Sequence, residues 1–232
     1  MGQLEKLIAA NAVRIHKVVD FDTSTDHLLP LDFTSSNTDL NDEILNDTDF
    51  FAKWVSNKLK DDQALYGIGG YNEHRTIYSR SAHFDTGEEP RRLHLGVDIW
   101  GPAGTPVYNF LEAKVHSFAN NNRYGDYGAT LILRHEIDGY VFHALYGHLN
   151  LASIQQIKIG DDIPAGEKIA EFGVQEENGF WPPHLHFQLI EDMQGKMGDY
   201  PGVCKFSERT MYLKNCPDPA IILNFSFPDG KF

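Results

Sequence analysis

The sequence has few cysteines, no long apolar run and a deficit of basic residues, and each shortage excludes a class of protein. Cys204 and Cys216 are the only cysteines among 232 residues, too few for a disulfide framework, so buried or free thiols are favoured over a single pair. No apolar run approaches the ~20 residues that a membrane-spanning helix needs. The formal net charge of −13 disfavours nucleic-acid binding, because a nucleic-acid binder needs a basic surface to neutralise phosphates.

The N-terminus lacks the basic start and the apolar segment of a secretory signal. From that absence we expect a cytoplasmic protein, and export stays open if the native chain is longer. The composition is otherwise that of an ordinary globular protein, and the length suffices for one good-sized domain with an elaborated terminus.

Two short helices are predicted near the N-terminus. The stretch "LEKLIAANA" indicates the first. In "DTDFFAKWVSNKLKDD" apolar residues recur at helical spacing, with acids in the first turn and lysines in the last, which indicates the second. The polar, acidic stretch "TSSNTDLNDEILNDTD", which overlaps the start of the second helix, is typical of a loop.

Between residues 93 and 190 the sequence shows short β-type runs and no long helical period. Gly, Pro, Asn and Asp separate these runs, as turn residues do between strands. The pattern predicts a mainly β fold, a compact antiparallel β-sandwich or barrel-like domain with a partly helical N-terminal extension. We place the extension at residues 1–62, and the β domain with its C-terminal tail at residues 63–232.

Two of the predicted strands carry polar side chains on one face. Residues i, i+2 and i+4 of a strand share a face, so "HLGVDIW" presents His94 and Asp98 together, with Gly96 between them. The missing side chain at Gly96 leaves room for an ion or a substrate. In "HLHFQLI", His184 and His186 share a face in the same way. Rigid strands of this kind are good places to hold metal ligands.

A third run, "YVFHALYGHLN", places His148 at a strand end, on the same face as Tyr146 by alternation. The three runs together supply histidines and one carboxylate for a metal ion. Catalytic zinc usually takes three protein ligands and leaves a position for water, whose pKa it lowers. Imidazole and carboxylate ligands without thiolate suit zinc and leave manganese, cobalt and iron open. A neighbouring histidine can accept the proton of the water or donate to a developing oxyanion.

The order and surroundings of these residues resemble the LytM/lysostaphin-type zinc metalloendopeptidases. The residues that carry the resemblance are His94, Asp98, Gly147, His148, Leu149, His184 and His186. Similar flanking stretches are "HLGVDIWGPAGTPV", "YGDYGATLILRH", "GDDIPAGEKIAEFG" and "PPHLHFQL". The resemblance covers residues 93 to 190.

The resemblance implies that His94, Asp98 and His186 bind one zinc ion per chain. It implies that His148 and His184 are catalytic and do not bind the metal. They would orient or deprotonate the water and stabilise the tetrahedral intermediate. The implied reaction is hydrolysis of peptide bonds in cell-wall-type substrates that contain glycine or D-amino acids. The implied fold is a compact antiparallel β domain with a long groove.

Several features depart from the usual pattern of that family. Gln188 stands where the family often has Glu, which alters hydrogen bonding around the ligands without abolishing metal binding. The acidity and the missing export signal are unusual for enzymes whose usual substrate lies outside the cytoplasm. The tail "GDYPGVCKFSERTMYLKNCPDPAIIL" and the stretch "YGIGGYNEHRTIYSRS" resemble a subgroup of peptidase-like modules fused between phosphotransferase and aminotransferase domains.

Polar residues also precede the first metal strand, and two tyrosines stand between glycines further along. These residues are Asn72, Glu73, Arg75, Tyr78 and Arg80, with Tyr124 and Tyr127. For the first group a structural loop network is favoured over groove lining or an occluding metal ligand. The two tyrosines either contact substrate or pack in turns.

Two other functions remain beside the peptidase. One is a non-catalytic binding or regulatory module of the same fold, and the other is a sugar-phosphotransferase carrier domain. The intact set of five site residues disfavours the first. Asp98, four residues after His94, suits a metal better than a phosphohistidine and disfavours the second.

Overall fold

Strands dominate the chain, as the short β-type runs predict. The computed structural model describes residues 2–81, 84 and 89–225. Strands make up 30% and helices 24%, so the predicted mainly β fold with a partly helical N-terminal part is confirmed. Among the described residues, no helix combines the length and the apolar character that a bilayer crossing requires.

In the described part of the chain, eight strands form one sheet in the order β1-β2-β4-β11-β8-β7-β6-β9. Two further pairs, β5 with β10 and β3 with β12, form small sheets. The strands are β1 (Leu28–Leu31), β2 (Tyr66–Gly69), β3 (Arg91–His94), β4 (Val97–Trp100), β5 (Pro106–Tyr108), β6 (Ala113–Asn121), β7 (Gly128–Ile137), β8 (Tyr140–Leu149), β9 (Asp162–Ile163), β10 (Lys168–Glu171), β11 (His184–Ile190) and β12 (Val203–Lys205).

The central position of β11 brings the polar runs of the sequence together. It pairs antiparallel with β4 on one side and with β8 on the other. In these registers His186 stands opposite Asp98 and opposite Gly147. Three segments far apart in the sequence therefore meet at one point of the sheet. All pairs of the large sheet are antiparallel except β1 with β2, which is parallel.

The apolar face of these strands forms the main core. Leu185, Phe187 and Leu189 of β11 are fully buried there, as alternation along the strand predicts. Val97 and Ile99 of β4 join them. Burying that face fixes the register, because a slip by one residue would turn the side chains of Asp98 and His186 into the core.

The helices lie at the two ends of the chain. The α-helices are α1 (Gln3–Ala10), α2 (Asp42–Asn46), α3 (Thr48–Asp61), α4 (Arg209–Asn215) and α5 (Ala220–Leu223). Short 3₁₀ turns span Ala12–Arg14, Ile77–Arg80, Leu151–Ile154 and Phe206–Glu208. Both predicted N-terminal helices form, as α1 and α3. The prediction of a loop before α3 is wrong at α2, where the Asn41 side chain caps the helix by accepting from the Ile44 N–H.

The N-terminal residues pack on two of the apolar clusters of the molecule. Leu4 and Ile8 of α1 belong to the main core. Phe51 and Val55 of α3 belong to a second, aromatic cluster that also contains Trp100 of β4. The parallel pairing of β1 with β2 adds an N-terminal strand to the large sheet. The domain boundary at residue 62 stays a prediction.

Both cysteines are buried free thiols, as expected. Burial raises the pKa of each thiol to about 12. Both lie in a third apolar cluster, in which the C-terminal tail packs against residues of the β domain such as Leu93, Ile132 and Leu145.

Candidate metal centre

His94 and Asp98 lie on two successive strands that belong to different sheets. The run "HLGVDIW" does not form the single strand that alternation predicts, because β3 ends at His94 and β4 begins at Val97. Gly96 lies at the break, where an added Cβ would stand 2.6 Å from Cε1 of His186. The His186 imidazole fills the space that we expected Gly96 to leave for an ion or a substrate. That prediction is therefore wrong, and Gly96 instead admits the side chain of His186.

Three candidate metal ligands converge in this buried space. Nε2 of His94 lies 3.0 Å from Nδ1 of His186 and 3.2 Å from Oδ1 of Asp98. The same Oδ1 lies 2.9 Å from Nδ1 of His186. Four ligands at about 2.0–2.1 Å from a tetrahedral zinc ion stand about 3.3 Å from one another. The observed separations therefore fit zinc with only a small outward movement.

The outer hydrogen bonds define which ring nitrogens are free to bind a metal. Nδ1 of His94 lies 2.8 Å from the Gly70 carbonyl oxygen, to which only an N–H can donate. Nε2 of His186 lies 2.9 Å from Oε1 of Gln188. The Gln188 amide nitrogen donates to the Pro201 carbonyl at 3.2 Å, which fixes the amide oxygen toward His186. Each ring thus presents an unprotonated nitrogen to the centre, the state a metal ligand needs.

The charges around the centre favour the same protonation states. Burial lowers the pKa of His94 to about 3, so its ring is neutral at physiological pH. Burial alone would raise the pKa of Asp98, but its interactions with His94 and Arg75 outweigh that effect and hold this pKa well below its usual value. Asp98 therefore presents an ionised carboxylate beside the neutral imidazole of His94.

His184 lies beside this centre on β11, and its ring is held by one hydrogen bond and by one stacked aromatic ring. Its Nδ1 donates to the Pro182 carbonyl at 2.7 Å, which leaves Nε2 unprotonated. The ring stacks on Trp100, with centroids 3.9 Å apart and planes 11° apart. Burial lowers its pKa to about 4. The fixed, neutral ring presents Nε2 as a proton acceptor.

His148 reaches the same space through an irregularity at the end of β8. Its φ of 62° is left-handed, and the β7–β8 register shifts between Ala129 and Leu131. Such irregularities re-aim side chains. Tyr146 is buried in the main core, so the predicted common face of the two residues is wrong. The His148 ring instead lies 4.1 Å from that of His184, and its Nδ1 donates to the Asn178 carbonyl at 2.7 Å.

The five predicted site residues therefore lie in one place, each at most 6% exposed. Four of them line a cleft with an empty volume of about 780 Å³, namely Asp98, His148, His184 and His186. Its wall also contains Tyr78, Phe84, Tyr127 and Trp181. Charged side chains of both signs complete the lining, namely Arg91, Asp126, Lys196 and Asp199. The roles of the five residues stay predictions.

Glu73, Arg75 and Tyr78 form the structural network that we favoured, and Arg75 and Tyr78 also line the cleft. Arg75 is fully buried, and it binds Glu73 at 2.7 Å, Asp98 at 2.5 Å and the Tyr78 hydroxyl at 3.1 Å. Asn72 accepts from Arg209 at 3.0 Å. The side chain of Arg80 lies outside the described residues.

The two tyrosines differ in their surroundings. The Tyr127 hydroxyl donates to the Tyr200 carbonyl at 3.1 Å, and its ring packs 5.1 Å from that of His186. Tyr124 is 41% exposed and lies 5.9 Å, ring to ring, from Phe180. Tyr127 therefore packs against a candidate ligand, whereas Tyr124 is partly exposed.

Sequence reasoning missed Trp100 as a site residue. The signal was present, because Trp100 follows Asp98 by two positions and so shares its face of the strand. Asn178, whose carbonyl holds His148, had no signal, because it acts through the backbone.

The segment that carries this site matches a known family. Residues 92–197 match peptidase family M23. The chain is 31% identical over 134 residues to the DD-carboxypeptidase/endopeptidase Mpg of Neisseria meningitidis serogroup B (strain ATCC 13091 / M2091). That match covers 56% of this chain and 28% of the relative, so the chain spans well under half of the length of Mpg.

Solved structures of peptidases are similar as well. The antimicrobial peptidase lysostaphin from Staphylococcus simulans is 24% identical, with a TM-score of 0.41, over 75% of this chain and 52% of that chain. A zinc-containing peptidase from Vibrio cholerae is 31% identical, with a TM-score of 0.34, over 42% of this chain and 27% of that chain.

Proposed function

We propose that this protein is a zinc-dependent peptidase of the M23 type. His94, Asp98 and His186 would hold one zinc ion, and His148 and His184 would act on the water and the substrate. The match of residues 92–197 to peptidase family M23 supports the reaction class.

One observation carries the metal proposal. Nε2 of His94, Nδ1 of His186 and Oδ1 of Asp98 lie within 3.2 Å of one another. The outer hydrogen bonds of both rings leave lone pairs, and no proton, on the two inward nitrogens. Three electron-pair donors at this separation, all buried, repel one another unless a cation lies among them. The donor set of two imidazoles and one carboxylate suits zinc.

Bound zinc would lower the pKa of water and polarise the scissile carbonyl. The two remaining histidines supply the proton transfers. Their Nδ1 atoms are engaged by backbone carbonyls, so Nε2 of each is the acceptor that can take a proton from the attacking water. The protonated ring then donates to the oxyanion or to the leaving amine. Because burial lowers the pKa of both rings, each is a weaker base than free imidazole, and the imidazolium that it forms returns its proton readily.

We propose a peptide of cell-wall type as substrate, with glycine or D-amino acids at the scissile bond. The name of the Mpg relative, a DD-carboxypeptidase/endopeptidase, supports D-amino-acid peptides. The cleft supports a peptide as well, since its wall combines aromatic rings with charges of both signs. The tail sequence leads us to propose also that the chain belongs to the subgroup of modules fused to phosphotransferase and aminotransferase domains. Immunoblotting for the native polypeptide tests this, because a fused module runs far above 26.3 kDa.

A combined metal and cleavage experiment tests the proposed function. Metal content of the purified protein is measured by elemental analysis, and cleavage is followed on peptidoglycan fragments and on a library of glycine- and D-amino-acid-containing peptides. We expect one zinc per chain and cleavage of at least one substrate. His148→Ala should keep its zinc and lose cleavage, and His186→Ala should lose both.

Two outcomes would contradict the proposal. A protein that takes up no zinc would exclude the metal site. Full zinc occupancy with no cleavage of any tested peptide would favour the non-catalytic binding module.

A further inference from the structure

Arg75 is a buried cation in direct contact with a candidate metal ligand. Its guanidinium is fully buried, and its Nη1 donates to Oδ2 of Asp98 at 2.5 Å. Its Nε donates to Glu73 at 2.7 Å, and its Nη2 donates to the Gly70 carbonyl at 3.3 Å. A buried arginine is costly unless its donors are satisfied, so this arrangement needs the surrounding acceptors in place.

We propose that Arg75, paired with Glu73, is a positioning residue that presets Asp98 and His94 for metal binding. The inference rests on the proposed function, since it concerns the residues assigned there to zinc. The proposal gives the loop before β3, which carries Glu73 and Arg75, a role in metal binding in addition to its structural role.

The contact between Arg75 and Asp98 determines which carboxylate oxygen of Asp98 faces the two imidazoles. Arg75 occupies Oδ2, while Oδ1 lies 2.9 Å from His186 and 3.2 Å from His94. A carboxylate held at one oxygen cannot rotate freely, so Oδ1 stays directed at the two imidazoles. Arginine is suited to this because its planar donors are fixed relative to one another.

Arg75 acts on the second proposed ligand, His94, through the backbone carbonyl of Gly70. The Gly70 carbonyl accepts from Nη2 of Arg75 and also from Nδ1 of His94, at 2.8 Å. Arg75 thus anchors the acceptor that sets the tautomer of His94. Hydrogen-bond partners of this kind orient metal ligands and raise their affinity for the ion.

The charge of Arg75 is balanced within the network. A lone cation beside Asp98 would repel a bound metal ion, but the Glu73 carboxylate at 2.7 Å offsets it. Glu73 is in turn held by the Phe33 N–H, at 3.2 Å. The balance makes orientation, rather than repulsion, the main effect of the pair on the metal.

The N-terminal part of the chain also contacts the guanidinium of Arg75. Phe33 places its ring 5.1 Å from Cζ of Arg75 and accepts from the Thr76 N–H at 3.0 Å. A Cβ at Gly69 would stand 2.6 Å from Nη2 of Arg75, so a glycine is required for this approach. The metal centre therefore depends on residues on both sides of residue 62.

Zinc affinity of purified variants tests the inference, measured by competition with a chromophoric chelator. Glu73→Gln/Arg75→Met removes the pair without changing the net charge, and Arg75→Lys keeps the charge but loses the fork of donors. The matched control is Arg134→Met/Glu136→Gln, which removes an exposed pair at 3.0 Å in β7. Visible absorption of the cobalt-substituted proteins reports ligand geometry independently of turnover.

We expect both Arg75 variants to bind zinc roughly 10- to 100-fold more weakly, with altered cobalt spectra, and the control to match wild type. Affinity within twofold of wild type, or tighter, in the Arg75 variants would overturn the inference. If the double variant does not fold, Arg75→Lys decides the result, since it keeps the buried charge balance. Wild type that binds no zinc would instead overturn the proposed function.

Discussion

Trp100 and His184 stack face to face, with ring centroids 3.9 Å apart and planes 11° apart. Trp100 is held from behind by Phe33 at 5.2 Å and Phe51 at 5.7 Å, ring to ring. The N-terminal aromatic cluster thereby fixes the plane of a histidine that is proposed to be catalytic.

Trp100→Leu should lower kcat about 10- to 100-fold and leave one zinc per chain. Without the indole, the plane of the His184 ring is no longer fixed. Part of the ~10²–10⁴-fold contribution of general acid–base catalysis should therefore be lost. Trp100→Phe keeps an aromatic face and should recover most of the rate. Steady-state kinetics together with metal analysis check this; equal kcat in all three proteins would show that the stack has no catalytic effect.

Comparing His148→Gly with His148→Ala should separate the backbone strain at residue 148 from the catalytic role proposed for its imidazole. The φ of 62° disfavours a side chain with Cβ, so the Gly variant should be about 1 kcal/mol more stable than the Ala variant. Both should keep zinc and lose turnover, because both lack the imidazole. Urea unfolding and cleavage assays measure the two effects, and a more stable Ala variant would contradict the backbone argument.

Gly96→Ala should weaken zinc binding strongly, because the added Cβ would stand 2.6 Å from the His186 ring. Gly195→Ala is the matched control. Its φ is 74° and a Cβ there meets no atom within 4 Å, so it strains the backbone without touching the site. Chelator competition should show weakened binding for the first and wild-type affinity for the second. Unchanged affinity in Gly96→Ala would mean that His186 can move aside without cost.

His135 should make the metal-free protein sensitive to acid. Its ring stacks between Phe110 and Phe142, at 4.4 and 5.2 Å, and burial lowers its pKa to about 3. Between the ordinary value of 6.5 and about 3, the unfolded chain takes up a proton that the folded chain excludes. Stability therefore falls as pH falls through this window, by up to about 1.4 kcal/mol per pH unit for this one group.

His135→Phe should reduce that dependence, because it removes the proton uptake while keeping a ring in the stack. Urea unfolding of both proteins at pH 7, 6 and 5 measures the two slopes. Parallel slopes would show that His135 does not exclude a proton in the folded state.

The strands could be predicted from the sequence because apolar and polar residues alternate along them with a period of two. Leu185 and Phe187 point to the core while His184 and His186 point away, as β11 shows. The positions of two features were not predictable in this way. The break at Gly96 depends on the close approach of His186, and the turn of His148 depends on a left-handed backbone at a residue that is not glycine.

Long-range contacts account for the rest. The chain from Phe33 through Glu73 and Arg75 to Asp98 joins residues 65 positions apart, and no periodicity encodes it. The same holds for the contacts of Trp100 with Phe33 and Phe51. The site residues were predictable because their order resembles a known family. Of the groups that hold them in place, Trp100 alone had a signal in the strand alternation.

The zinc dependence of peptide hydrolysis by the metal-free protein tests the central claim most directly. Zinc is removed with a chelator and returned in steps while cleavage of a D-amino-acid-containing peptide is followed. We predict that the rate rises in proportion to added zinc and levels off at one ion per chain, and that His186→Ala stays inactive throughout. Hydrolysis that persists without metal, or none at full occupancy, would contradict the account.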